Sequence, residues 1–173
     1  NIQIVPTTGR FYMGMPEKIR NLSFVRYAIT INGAEVLDVK TGEVIYRAEL
    51  PYLQAIKIME LLDTLPVIYD CYMDGAGWMT AALKEKIDDM VDDPHYVKML
   101  HELRQSVPEL KAFLRERGQN VQKVQFFTRD MALRERLLEE LPKLFPGIVV
   151  SSSTPQNVEI NHVDANKGRA VLA

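Results

Sequence analysis

Three short polar motifs each follow or precede an apolar, strand-like segment, and their side chains are suited to binding a phosphoryl group. The first is Thr8-Gly9-Arg10, directly after an apolar stretch that ends at Val5. A threonine hydroxyl beside a glycine lets an O–H and backbone N–H groups converge on one oxygen, and an arginine adds a forked cationic contact. Taken alone, this tripeptide is better explained by a helix cap and a surface arginine.

The second and third motifs add an amide side chain and an ammonium group. Asn32-Gly33 follows the apolar segment Tyr27–Ile31, and Asn166-Lys167-Gly168 follows Val158–Ile160 at the start of a helix. A lysine in the first turn of a helix opposes the helix dipole, which makes sense if a bound anion lies between the ammonium and the helix amides. An Asn-Gly turn and a solvated surface lysine explain the same residues without a function.

The elements that must position these motifs alternate between strand and helix. Hydrophobic periodicity and turn residues predict strands over Ile2–Val5 (with Asn1 already in strand conformation), Tyr27–Ile31, Glu35–Val39, Glu43–Tyr46, Val67–Met73, Trp78–Thr80, Val121–Phe127, Ile148–Val150 and Val158–Ile160. Helices are predicted over Phe11–Leu22, Tyr52–Leu62, Ala81–Val91, Pro94–Gln105 (capped by Asp93), Pro108–Arg117 and Arg129–Leu141 (capped by Thr128). The first strand, helix and second strand have the spacing of a βαβ unit, which predicts a parallel pair.

These elements predict an α/β protein made of two parts. Residues 1–50 and 153–173 are expected to form part of a Rossmann-like core. Residues 51–152 are expected to form an inserted α+β domain, in which helices cover an antiparallel sheet. Because ligands bind at the carboxyl ends of strands in open parallel sheets, the three motifs are expected to meet at one edge of the core.

Composition excludes several classes of protein. The net charge is −2 over 173 residues, so broad binding to nucleic acid or to an anionic membrane is not expected. Cys71 is the one cysteine, which excludes an internal disulfide and suits a reducing compartment. The sequence shows neither a signal peptide nor an apolar run of about 18 residues, so a cytoplasmic location is expected. Because Asn1 is not a methionine and Lys167–Ala173 reads as an interrupted helix, we expect a fragment.

Taken in order, the motifs and the long insertion resemble the Cof-type phosphatases of the haloacid dehalogenase (HAD) superfamily. The resemblance implies a Mg²⁺-dependent phosphohydrolase that acts on small phosphorylated metabolites through an aspartyl-phosphate. It assigns catalytic roles to the Thr8 hydroxyl, which would hold the transferring phosphoryl group, and to Lys167, which would neutralise it. Gly9, Arg10, Asn32 and Gly33 would border the substrate, and the inserted domain would be the cap that closes over it.

The sequence departs from this family in two places. The nucleophile of the family lies in an Asp-x-Asp motif on the first strand, and an acidic motif completes its Mg²⁺ site; residues 1–173 contain neither in an equivalent position. The chain is therefore expected to be inactive by itself and to provide no metal ligands. Two alternatives stay open: a non-catalytic module that pairs with a second copy of itself as a homodimer, and a phosphosugar mutase of the same superfamily.

One strand of the inserted domain offers candidates for recognising the rest of the substrate. In the alternating segment Val67–Asp74, the apolar residues should face the cap helices, which leaves Asp70 and Tyr72 on the opposite face. A carboxylate and a phenol would suit a polyol or sugar leaving group, so both are predicted to bind substrate. An exposed sheet face is at least as good an explanation, and Lys123 on the next strand is in the same position.

Overall fold

Two β-sheets organise the computed structural model, which describes residues 2–173. The smaller sheet has three strands in the order β1-β2-β3, with bounds Tyr27–Thr30, Glu35–Asp38 and Val44–Arg47. Both pairs of neighbours are antiparallel, and β2 and β3 form a hairpin. Gly42 provides the positive φ of 76° that this turn requires.

The apolar N-terminal segment does not form the regular strand that its composition predicts. Thr7 makes an isolated parallel bridge with Ile29, and residues 2–6 belong to no strand. Ile2 and Ile4 are 96% and 56% exposed because no layer covers them. The predicted buried strand is therefore wrong, although the parallel direction of the bridge agrees with the expected βαβ order. Asn1 lies outside the described residues.

The larger sheet has six strands in the order β6-β5-β4-β7-β9-β8. Their bounds are Ile68–Met73 (β4), Ala76–Thr80 (β5), Arg104–Val107 (β6), Lys123–Phe127 (β7), Ile148–Ser151 (β8) and Asn157–His162 (β9). All neighbours are antiparallel except β5 and β6. Because β9 lies between β7 and β8, the boundary expected at residue 152 falls inside this sheet. Strand β6 was not predicted, because the helix that precedes it was expected to continue through Gln105.

Eight α-helices connect and cover these strands within the described residues. They are Glu17–Arg20 (α1), Tyr52–Leu62 (α2), Ala81–Lys84 (α3), Ile87–Met90 (α4), Pro94–Leu103 (α5), Leu110–Arg117 (α6), Met131–Leu144 (α7) and Lys167–Ala170 (α8). The helix predicted over Phe11–Leu22 is instead a 3₁₀ turn and α1, separated at Pro16, whose ring cannot supply a backbone N–H. The helix predicted over Ala81–Val91 is likewise divided into α3 and α4.

Side-chain caps decide where two of the long helices begin. Asp93 caps α5 as predicted, because its carboxylate accepts hydrogen bonds from the N–H groups of His95 and Tyr96. Thr128 was predicted to cap the last long helix, and that prediction is wrong. Asp130 caps α7 instead, and the Thr128 hydroxyl accepts a hydrogen bond from the N–H of Asp130.

The main hydrophobic core lies between one face of the large sheet and helices α2, α6 and α7. Its buried members include Ile58, Leu62, Tyr69, Cys71, Met73, Leu114, Val124, Phe126, Leu137 and Ile160. The other face of this sheet is turned partly toward the small sheet, where Glu159 and Asn161 accept hydrogen bonds from Asn32, the residue that follows β1 and Ile31. An isolated antiparallel bridge between Leu50 and Val121 lies just outside β3 and β7. That second face carries most of the buried polar side chains. None of the helices in residues 2–173 has the length and apolar character needed to cross a bilayer.

Candidate active site

The loops that carry the three motifs meet at one end of the small sheet. The N–H of Asn32, which has a left-handed φ of 60°, donates to the carbonyl oxygen of Thr8 at 3.1 Å. A Cβ atom added to Gly33 would lie 2.5 Å from the carbonyl carbon of Asn166 and 2.7 Å from the amide nitrogen of Lys167. The tertiary structure therefore brings together residues that are more than a hundred positions apart in the sequence.

Thr8 and Arg10 interact with each other and with the turn that follows them. The half-buried Thr8 hydroxyl oxygen accepts a hydrogen bond from the N–H of Arg10 at 3.2 Å, which leaves the hydroxyl proton available to donate. The Arg10 guanidinium folds back and donates through Nη1 to the carbonyl oxygen of Gly14 at 3.3 Å. The hydroxyl is therefore placed to contact a ligand, while Arg10 is partly engaged within its own turn.

Gly9 allows the closest approach between the first two motifs. A Cβ atom at this position would lie 2.6 Å from Oδ1 of Asn32, a distance that real Cβ atoms essentially never show. The carbonyl oxygen of Gly9 accepts a hydrogen bond of 3.1 Å from Nζ of Lys123 on β7. The large sheet thus touches the first motif directly.

Lys167 is exposed at the first position of α8, next to the backbone of Gly33. The Asn166 side chain caps this helix and accepts from the N–H groups of Gly168 and Arg169 at 2.7 and 3.3 Å. Two of the helix amides that the sequence suggested as anion ligands, those of Gly168 and Arg169, therefore already donate to their own cap. What this motif offers a ligand is the ammonium of Lys167.

Asn32 directs its amide group toward the large sheet. Its Nδ2 donates to Oε2 of Glu159 at 2.8 Å and to Oδ1 of Asn161 at 3.1 Å, both on β9. Burial by itself raises the pKa of the Glu159 carboxyl, but the Lys123 ammonium and the hydrogen bonds from Asn32, Lys123 and Ser153 outweigh it, so the pKa lies below its ordinary value. Asn32 consequently meets a carboxylate that stays ionised near neutral pH.

Asp70 and Tyr72 lie on the polar face of the large sheet, opposite the apolar residues of the same strand. The alternation predicted for β4 is confirmed by the packing of Tyr69, Cys71 and Met73 in the main core. The alternative of an exposed sheet face is wrong, because Asp70 is 0% exposed and Tyr72 is 3% exposed. The Tyr72 ring meets that of Phe11 edge to face, with centroids 5.2 Å apart.

Arg104, on the unpredicted strand β6, is the partner of both residues. Its Nε donates to Oδ2 of Asp70 at 2.7 Å and its Nη2 to the phenol oxygen of Tyr72 at 2.8 Å. The side chain crosses β5 at Gly77, where an added Cβ would lie 2.6 Å from Arg104 Cδ. Burial acts to lower the pKa of the guanidinium, but the Asp70 carboxylate and Tyr72 raise it above its ordinary value. Arg104 and Asp70 thus form a buried ion pair whose side chains are 1% and 0% exposed.

Two acceptor oxygens on the polar face have no donor among the described residues. Oδ1 of Asp70 and Oε1 of Gln125 are both buried and unpartnered. The two residues are directly opposite each other on β4 and β7, and Nε2 of Gln125 donates to the other Asp70 oxygen at 2.9 Å. Each of these two oxygens can accept a hydrogen bond from a donor that reaches the polar face.

Glu159 and Arg104 belong to this network although neither was predicted from the sequence. In Val158-Glu159-Ile160 a charged residue alternates with apolar ones, which is equally typical of an exposed strand face, so this pattern did not predict a buried carboxylate. Arg104 gave no signal either, because it was assigned to a helix. Lys123 was placed on the correct face, and its side chain is 1% exposed.

The residues described here do not fit a Mg²⁺ site. Within residues 2–173, His, Cys, Asp and Glu side chains form no group of three or more that could hold a metal ion. Glu159, which contacts the Asn32 loop, has both carboxylate oxygens occupied by hydrogen bonds and by Lys123.

Comparison with known proteins gives a family and a fold. The family model for haloacid dehalogenase-like hydrolases matches residues 1–173. A Thermotoga maritima protein, TM0651, is 21% identical with a TM-score of 0.72, over 98% of this chain and 60% of its own. A haloacid dehalogenase-like hydrolase from Bacteroides thetaiotaomicron is 20% identical with a TM-score of 0.76, over 99% of this chain and 62% of its own.

A third similar structure is described as the sugar phosphatase BT4131 of subclass IIB. It is 15% identical with a TM-score of 0.70, over 98% of this chain and 60% of its own. At such identities the similarities establish the fold alone. The chain spans about three fifths of the length of these three structures. Among curated proteins, none matches it at a significant level.

Proposed function

The chain belongs to the haloacid dehalogenase-like hydrolases, and from that premise we propose that it forms the phosphate-binding loops and the cap of a phosphohydrolase. The substrates proposed are small phosphorylated metabolites such as sugar phosphates. One observation carries the proposal: the Thr8, Asn32 and Lys167 loops touch one another through backbone atoms. This contact supports a site in which the Thr8 hydroxyl and the Lys167 ammonium reach the same phosphate.

In this proposal each motif has one task. The Thr8 hydroxyl donates its proton to an oxygen of the transferring phosphoryl group, while its own oxygen is held by the N–H of Arg10. The Lys167 ammonium neutralises the charge that spreads over the phosphoryl oxygens in the transition state. Gly9 and Gly33 keep the loops close enough for both groups to act on one phosphate, because any side chain there would separate them.

The polar face of the large sheet is proposed to contact the leaving group. The unpartnered oxygens of Asp70 and Gln125 would accept hydrogen bonds from hydroxyl groups of a sugar or polyol. Tyr72 takes a supporting part, since its phenol is held by Arg104 and its ring by Phe11. This assignment keeps the expected role of Asp70 and reduces that of Tyr72 to shaping the site.

The nucleophile and the Mg²⁺ requirement rest on the family alone. An aspartyl-phosphate needs an aspartate that attacks phosphorus, and no carboxylate of the described residues stands at the motif loops free to do so. We therefore propose that residues 1–173 alone are inactive, and that the nucleophile and the Mg²⁺ ligands come from other segments. Mg²⁺ would supply charge neutralisation at the phosphoryl group when bound.

Two measurements test the proposal. The first follows amide chemical shifts of the chain during titration with inorganic phosphate; those of Thr8, Gly33 and Lys167 should move together and saturate. The second assays phosphate release from a panel of phosphomonoesters, with and without Mg²⁺, by the chain extended with any flanking segments that its gene encodes. If the motif amides do not respond and no ester is cleaved, the proposal fails.

Self-association is the second candidate, and one observation favours it. An apolar groove of about 440 Å³ runs along the small sheet, lined among others by Val5, Ile29, Val36 and Val171. A second copy of the chain would cover such a surface. Sedimentation at micromolar concentration distinguishes the candidates: a dimer that dissociates when Ile45→Glu is introduced, at an exposed residue of this groove, supports association through it, and a monomer excludes it.

A further inference from the structure

Lys123 and Glu159 form a buried ion pair on the face of the large sheet that is turned toward the motif loops. Nζ of Lys123 lies 3.1 Å from Oε1 of Glu159, and the two side chains are 1% and 7% exposed. Removing two charges from water is unfavourable, and an apolar pair of similar volume often stabilises a protein as well or better. The stability of the sheet therefore does not explain why charges occupy these positions.

Each member of the pair contacts a different motif loop. Lys123 donates to the carbonyl oxygen of Gly9 at 3.1 Å, and Glu159 accepts from Nδ2 of Asn32 at 2.8 Å through its second oxygen. Gly9 and Asn32 are themselves in close contact, as the 2.6 Å approach to an added Cβ shows. Lys123, Glu159, Asn32 and Gly9 thus form a closed ring of contacts that joins two strands to two loops.

The pair is fixed from the side of the sheet. Oε1 of Glu159 also accepts from Ser153 Oγ and Asn157 Nδ2, both at 3.3 Å. Nζ of Lys123 lies 4.2 Å from the centroid of the Tyr72 ring, which favours a cation on its face. Because contacts within the sheet fix both charged side chains, these side chains position the loops; the loops do not position the charged side chains.

We propose that Lys123 and Glu159 are positioning residues that act through Gly9 and Asn32 to fix the Thr8 loop against the Asn32 loop. The consequence for phosphate binding rests on the proposed function; the structural part does not. Both contacts connect the large sheet to the loops, so they are made or lost together when the sheet docks or separates. The loops then have their phosphate-binding arrangement only while the sheet is docked.

Amide hydrogen exchange measured by NMR on the chain tests this coupling. The amides of Thr8, Arg10 and Asn32 are all hydrogen-bonded and report on the loops. A single substitution leaves one unpaired buried charge and can unfold the protein, so the decisive variant is the uncharged pair K123M/E159Q. We expect this variant to fold, yet to exchange these three amides at least tenfold faster than the wild type.

Two control variants separate positioning from general destabilisation. Val124→Ala removes packing on the opposite face of β7 and touches neither loop, so it should not accelerate the loop amides selectively. Lys123→Arg keeps a cation that can reach the Gly9 carbonyl and should preserve most of the protection. The proposal is overturned if the loop amides exchange as slowly in K123M/E159Q as in the wild type. It is also overturned if V124A, compared at matched stability, accelerates exchange of the loop amides as much as K123M/E159Q does.

A parallel titration with inorganic phosphate keeps the two proposals distinct. If the wild type does not bind phosphate but K123M/E159Q frees the loops, the proposed function fails and the positioning pair stands. If the wild type binds phosphate and the loop amides of the double variant are unaffected, the positioning pair fails and the function stands. If both hold, the double variant should bind phosphate at least tenfold more weakly.

Discussion

Gly33 lies against the backbone of Asn166, so close that a Cβ on Gly33 would be 2.5 Å from the Asn166 carbonyl carbon. This contact connects two motifs that are far apart in the sequence, and it depends on the absence of a side chain. The φ of 94° at Gly33 adds a second requirement, since L-residues rarely adopt it.

We predict that Gly33→Ala destabilises the protein more than Gly42→Ala. Gly42 also has a positive φ, of 76°, but an added Cβ there meets nothing within 4 Å. Gly42→Ala should cost about 1–2 kcal/mol, the strain of the left-handed region, and Gly33→Ala should cost more because the backbone of residues 166–167 must also move. Urea denaturation measures the free energy of unfolding of both variants. Equal losses would show that the close contact at Gly33 does not affect stability.

Lys167→Ala should lower kcat/KM for a phosphomonoester about a hundredfold to a thousandfold in the extended, active protein, as the loss of one preorganised charge-stabilising group does elsewhere. Arg169→Ala is the matched control, because it removes an equal charge from the same short helix, where Arg169 pairs with Asp164. That control should change the rate little. Comparable losses from both substitutions would point to helix damage, not to charge stabilisation at the phosphate.

Thr8→Val should weaken phosphate binding while leaving the fold intact, because it removes the hydroxyl and keeps the volume. Thr8→Ser should restore most of the binding, since it returns the donor. Thr7→Val serves as the control: the exposed Thr7 hydroxyl donates only to the carbonyl oxygen of Val5. Isothermal titration with inorganic phosphate measures all three variants, and an unaltered affinity in Thr8→Val would remove this hydroxyl from the site.

Asp70→Ala should reduce the free energy of unfolding by about 3–5 kcal/mol, because it leaves the guanidinium of Arg104 buried without its carboxylate. The exposed pair Arg115–Glu60 provides a comparison, and Glu60→Ala should cost at most about 1 kcal/mol. Urea denaturation gives both values. If Asp70→Ala folds and shows unchanged specificity over a sugar-phosphate panel, Asp70 does not contact the leaving group.

The stability that Glu159 contributes should depend on pH in one direction. Its pKa is lower in the folded protein than in the unfolded chain, so its contribution is complete above the unfolded value, about 4.3, and is lost as pH falls through the lower folded value. The stability difference between wild type and Glu159→Gln should therefore shrink on acidification below about pH 4.3. A difference that stays constant down to pH 3 would contradict an ionised Glu159.

Features that depend on neighbouring residues were predictable. The β2–β3 and β4–β5 hairpins, the Asp93 cap and the end of α6 at Gly118 all follow from local turn and capping chemistry. The strand β6 was not predictable in this way. Arg104 and its neighbours form a strand because β5 offers a parallel edge and Asp70 a charge, and neither is near them in the sequence.

At the candidate site, too, some features are determined by the sequence and others only by the tertiary structure. The sequence by itself determined which residues could bind a phosphoryl group, because Thr8, Asn32 and Lys167 carry the necessary hydroxyl, amide and ammonium in recognisable motifs. The tertiary structure decided which of these groups remain available. The Asn32 amide group already donates to Glu159, and two N–H groups of α8 already donate to the Asn166 side chain. Hydrogen bonds and ion pairs between distant segments have no local signature, so only the folded chain shows that Lys123 and Glu159 contact the loops.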